Sequence, residues 1–172
     1  MQNNRFIIAF ILMLIIQLVL TKSCQFEPFL YICLLPAMAL CFPTSIPTWR
    51  TMLDAFVTGL LVDGLADGPL GLNAMALVCV TALQKLILRI CIGEELVERG
   101  YGFSYHENGF FKIFIALFVA TAVFFAIYVT ADGLGVRTGG FNLMKWACST
   151  VTSLVFGLFA VNVLSPYKSN IQ

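Results

Sequence analysis

From Phe110 to Ala131 the chain contains a single charged residue, Lys112. A run this long and this apolar is the signature of a helix that crosses a bilayer, which takes about 20 residues. Five further apolar blocks accompany it, at residues 6–20, 29–42, 51–66, 72–92 and 141–164. Apolar residues fill these blocks instead of recurring on one face, so an amphipathic soluble domain is not the expected product. Composition agrees: 60% of residues are hydrophobic and 11% charged, against about 25% charged in ordinary soluble domains. The expected fold is all-α, a polytopic integral membrane helix bundle of about six transmembrane helices. Residues 1–172 form a single transmembrane domain on this reading. A net charge of +1 carries no basic excess of the kind that nucleic acid would require.

Block 6–20 is interrupted only by Gln17, and no small-residue cleavage site follows in Thr21-Lys22-Ser23-Cys24-Gln25, so it reads as a retained span. Block 29–42 is short, at about 14 residues against the usual ~20, and Pro36 within it is expected to kink it and free a carbonyl. Blocks 29–42 and 51–66 are both short enough to form a hairpin that penetrates unevenly. Between them, Pro43 to Arg50 combines two prolines, Trp49 and Arg50, the composition of a headgroup boundary. With the N-terminus cytoplasmic, the inner side receives Arg5, Arg50, Lys85, Arg89, Arg99, Lys112 and Lys168. The outer side receives only Lys22, Arg137 and Lys145. The positive-inside bias therefore places both termini in the cytoplasm. Lys85 and Arg89 are one turn apart and are expected to snorkel to the headgroups.

Cys33, Cys41, Cys79, Cys91 and Cys148 lie in or beside apolar blocks without a Cys-x-x-Cys pair, so they read as packing residues. His106 is the sole histidine, which leaves neither a metal set nor a serine-protease constellation. The polar segment 93–109, with Glu94, Glu95, Glu98 and Arg99, reads as a solvated inner loop. Small residues at Gly59, Gly64, Ala116, Ala120 and Ala126 offer faces for close helix packing. Phe114, Phe124 and Phe125 are expected to face lipid or fill gaps.

The most informative stretch is Gly59-Leu-Leu-Val-Asp63-Gly64-Leu-Ala-Asp67-Gly68-Pro69-Leu70-Gly71-Leu-Asn73. Asp63 follows Gly59 by one helical turn, so both share a face. The glycine admits another backbone, and the acid demands a partner or water. Gly64, Gly68, Pro69 and Gly71 are expected to permit a sharp reversal. The next helix then presents free amides that favour a carboxylate such as Asp67. Two readings stay open: a structural turn tied down by Asp63 and Asp67, or a contact for a ligand, ion or partner. Asp63-Gly64-x-x-Asp67 is similar to the start of the CDP-alcohol phosphotransferase motif Asp-Gly-x-x-Ala-Arg. No arginine follows, however, and the later aspartate pair is missing, so no enzyme is expected.

Gly59-x-x-x-Asp63, the turn ending Pro69-Leu70-Gly71, and an apolar helix ending in Lys85 and Arg89 together resemble the bacterial rod shape-determining MreD family. The specific part covers about 35 residues, Leu53 to Arg89; elsewhere the agreement is in length, hydropathy and termini. The polar segment 93–109 is longer than that family suggests. The resemblance implies a non-catalytic scaffold of the cell-elongation, peptidoglycan-synthesis machinery in the bacterial inner membrane, without cofactor. It implies an MreC-like single-span partner, and association with MreB and with RodA and its transpeptidase; self-association is left open. The fold is also similar to the six-helix substrate-binding subunits of energy-coupling-factor transporters. That similarity supplies the alternative function, a vitamin-type binding subunit.

Overall fold

Two prolines and a left-handed glycine set the boundaries that matter most in this bundle. The computed structural model describes residues 2–23, 30–66, 69–94, 109–133 and 139–164, and regular structure there is helical. The helices are α1 (Gln2–Ser23), α2 (Leu35–Leu40), α3 (Thr48–Leu65), α4 (Leu72–Cys91), α5 (Phe110–Asp132) and α6 (Gly139–Leu164). By length and composition α4, α5 and α6 are each able to cross a membrane, which makes the chain a helical membrane protein. Pro47 is extended (φ −62°, ψ 139°) and immediately precedes α3, as expected of a residue that cannot donate into a helix. Gly71, at φ +96°, starts α4 from a left-handed conformation that an L side chain would strain.

Helix α4 is the hub, packing against α2, α3 and α5, while α6 closes the bundle against α5 and α1. The core runs along these seams through Leu77, Val80, Leu88, Ile113, Leu117, Phe124, Phe125 and Val161, all essentially inaccessible. Phe124 and Phe125 fill gaps inside the bundle and do not face outward, whereas Phe114 is half-buried. Ala116 and Ala120 lie fully inside, and Ala126 is exposed and takes no part in helix packing.

Block 29–42 departs furthest from its expected form. Residues 30–34 are not helical, and the helix that follows, α2, has six residues, every one buried. Pro36 does not kink a longer helix; it stands in the first turn of α2, where its missing N–H would have had no partner in any case. A six-residue helix that is apolar all round has no stability of its own and exists only because α4, α5 and α6 enclose it.

Candidate functional site

Non-helical backbone inside a membrane bundle, such as residues 30–34, must have its amides and carbonyls satisfied by protein. Side chains of α1 and α6 meet that demand. Gln17 is fully buried; its Oε1 accepts from Leu34 N at 2.6 Å, and its Nε2 reaches Ile32 O at 3.3 Å and Thr21 Oγ at 2.8 Å. From the other side, Ser149 Oγ accepts from Tyr31 N at 3.0 Å and Ser153 Oγ from Cys33 N at 2.9 Å. The far end of the segment is held by α4. Gln84 Nε2 donates to Phe42 O at 2.9 Å and Leu40 O at 3.3 Å, and Lys85 Nζ donates to Ile46 O at 3.1 Å. Lys85 therefore caps a turn of the chain, in place of simply reaching for headgroups.

The acidic glycine turn joins this arrangement. At Gly59 the α3 and α4 backbones touch: a Cβ added there would stand 2.3 Å from Ala74 Cα and 2.6 Å from Ala74 N. That contact brings Asp63, 2% exposed, over the start of α4. Asp63 Oδ2 accepts from Gly71 N at 2.9 Å and Ala74 N at 3.3 Å. Oδ1 accepts from Asn73 N at 3.3 Å and Asn73 Nδ2 at 2.8 Å. A carboxylate from the preceding helix thus does what an N-cap side chain usually does, meeting amides that α4 itself leaves unpaired. The positive end of the α4 dipole favours it further. The sequence pointed to Asp67 for this contact; Asp67 and Gly68 lie outside the described residues, and Asp63 makes it. Gly64 is helical and exposed in the last turn of α3, so it contributes nothing to the reversal.

From Asp63 the network continues inward. Asn73 Nδ2 also lies 2.9 Å from Tyr31 Oη. The Tyr31 ring stacks on Tyr128 of α5, with centroids 4.8 Å apart and planes 6° from parallel. Lys145 Nζ of α6 stands 5.8 Å from the centre of the Tyr128 ring and pairs with Asp132 Oδ2 at 2.8 Å. Pairing of this kind lets an ammonium group stay inside a membrane bundle. Asp63, Asn73, Tyr31, Tyr128, Asp132 and Lys145 therefore connect α3, α4, the non-helical segment 30–34, α5 and α6 at one end of the bundle.

Sequence reasoning singled out Gly59, Asp63 and Gly71, which meet here, and missed Gln17, Tyr31, Tyr128, Asp132, Ser149 and Ser153 as members of one cluster. A signal for some of them was present. Gln17 and Thr21, and Lys145, Ser149 and Ser153, recur every four residues in otherwise apolar helices, so each set shares a face. Chemically the cluster is a clamp. Its serine hydroxyls and its Gln17 and Asp63 oxygens are engaged by backbone amides, and Thr44 Oγ is the only buried side-chain nitrogen or oxygen without a partner among the described residues.

Comparison with protein-family models, with curated proteins and with solved structures returned no match for this chain.

Proposed function

We propose that this chain is a non-catalytic membrane scaffold of the bacterial cell-elongation machinery, MreD-like in role, which binds an MreC-like single-span protein in the inner membrane. RodA with its transpeptidase and MreB are the further associates that this role implies. The observation carrying the reading is the use made of Asp63. Each of its oxygens accepts from the start of α4, so the acidic glycine motif that resembles the MreD family's serves here to join two helices. A rigid bundle with an apolar exterior is suited to holding other membrane helices.

The same reading takes the chain through the bilayer six times with both termini cytoplasmic, and residues 30–42 then need not be helical throughout. Non-helical backbone reaches at most about 3.3 Å per residue and helix rises about 1.5 Å, so residues 30–34 plus α2 can cover up to roughly 25 Å of the ~30 Å hydrocarbon core. The Asp63 network falls at the outer end in this orientation.

One feature favours the alternative of a small-molecule binding subunit: Tyr31 of the non-helical segment, Asn73 of α4, Tyr128 of α5 and Lys145 of α6 converge at that end. Their mutual satisfaction within the chain favours the clamp. Coexpression with an MreC-like protein and purification in lipid particles decides between them. A stable complex is expected; a bound vitamin-sized molecule in native mass spectra, with no single-span partner, would overturn the scaffold reading.

A further inference from the structure

The outward face of α3 carries a charge that no ion pair compensates among the described residues. Asp54 is exposed, and around it lie the exposed apolar side chains Leu53, Val57 and Leu61. The α3 backbone places Asp54 one turn beyond Arg50, about 6 Å deeper along the axis. Arg50 itself leans over Trp49, its Cζ 5.2 Å from the ring centre, and no ion pair to Asp54 forms among the described residues. Trp49 and Arg50 mark the headgroup level, so the Asp54 carboxylate sits just inside it, where lipid solvates a carboxylate poorly and a cation is the favoured neighbour. Following the same face toward the other end, Val57 and Leu61 lead to Gly64, where an added Cβ would meet only Leu70 Cδ2 at 4.0 Å. The stripe therefore offers an acid near one boundary, an apolar middle, and a place for close backbone approach near the other.

We infer that this face of α3 seats the single-span partner, through a partner helix bearing a lysine or arginine about one turn inside its cytoplasmic end. The inference rests on the scaffold reading and on its orientation. Single-span helices concentrate lysine and arginine at their cytoplasmic ends, which is the depth of Asp54 when residues 43–50 are cytoplasmic. Charge complementarity thus selects a cationic helix over a second copy of α3, which would bring acid to acid if parallel.

The test uses the full chain coexpressed with the MreC-like protein and purified in lipid particles. Asp54→Lys is expected to lower the recovered partner about tenfold, the scale of a good interhelical polar contact. Asp54→Asn should lower it less, and acidic replacement of the partner's boundary lysine or arginine should restore binding to Asp54→Lys. A photoreactive residue at Leu61 should give an adduct of the two chains, and one at Val155, exposed on α6, should not. Unchanged recovery with Asp54→Lys, an adduct of two copies, or labelling of lipid alone at Leu61 would each overturn the assignment. Failure of the wild-type chain to retain the partner at all would instead overturn the scaffold reading. The Asp54 carboxylate makes no ion pair among the described residues, so monodisperse, unchanged behaviour of both variants on size exclusion separates lost docking from lost folding.

Discussion

Replacing Asp63 by alanine removes the carboxylate that four N–H groups at the start of α4 share. Four contacts disappear: from Gly71 N, Asn73 N, Asn73 Nδ2 and Ala74 N. They are not equal. Gly71 is partly accessible and can turn to water, and Asn73 Nδ2 keeps Tyr31 Oη at 2.9 Å. The amides of Asn73 and Ala74 remain, both in buried residues. A buried donor left alone costs about 1–3 kcal/mol and loss of a helix cap about 0.5–2 kcal/mol. The expected destabilisation is therefore about 2–4 kcal/mol. Asp63→Asn should lose roughly 2 kcal/mol, because its amide nitrogen would confront one pair of N–H donors. Reversible unfolding of the purified protein in mixed micelles, titrated with a denaturing detergent, reads these differences directly. Asp54→Asn, a change at an exposed side chain, serves as the control and should stay within about 0.5 kcal/mol of wild type. An Asp63→Ala protein equally close to wild type would refute the capping argument. So would an Asp63→Asn protein of unchanged stability that no longer binds its partner, since Asp63 would then be a contact residue.

Three further perturbations probe the clamp at separate points. Gly59→Ala places a methyl group 2.3 Å from Ala74 Cα, so α3 and α4 must separate at a cost of about 1–3 kcal/mol; unfolding midpoints equal to wild type would show that the helices do not cross there. Gln17→Leu keeps the bulk but strands Leu34 N and Ile32 O, which should cost about 2–3 kcal/mol and speed proteolysis; a variant as stable as wild type would count against Gln17 holding the non-helical segment. Lys145→Met removes the 2.8 Å ion pair with Asp132 and should destabilise by about 1–3 kcal/mol, reduced because both groups retain some solvent contact. Adding Asp132→Leu should recover part of that loss, and a double variant worse than the sum of the singles would contradict the pairing.

Much of the helical layout was legible from residue order. Apolar length alone marked α4, α5 and α6, because a helix that meets lipid on one side and protein on the other is apolar all round. The spacing of Gly59 and Asp63 placed a small residue and an acid on one face, since 3.6 residues per turn is a local property. The partner of that acid was not legible. Sequence proximity favoured Asp67 for the amides of α4, whereas the backbone contact at Gly59 brings Asp63 over them. Block 29–42 shows the same division more sharply. Its apolarity reads as a span, but the strings of an apolar helix and of a buried extended segment are the same to a hydropathy argument. Its form is decided by Gln17, Ser149 and Ser153, which lie far from it along the chain and supply the acceptors that let Tyr31, Cys33 and Leu34 leave the helix. Residue order determined where this chain meets the membrane, because burial in lipid acts on each segment by itself. The acidic turn and the unwound segment were decided by tertiary structure, because a polar group in a bilayer takes whatever partner packing sets within about 3 Å.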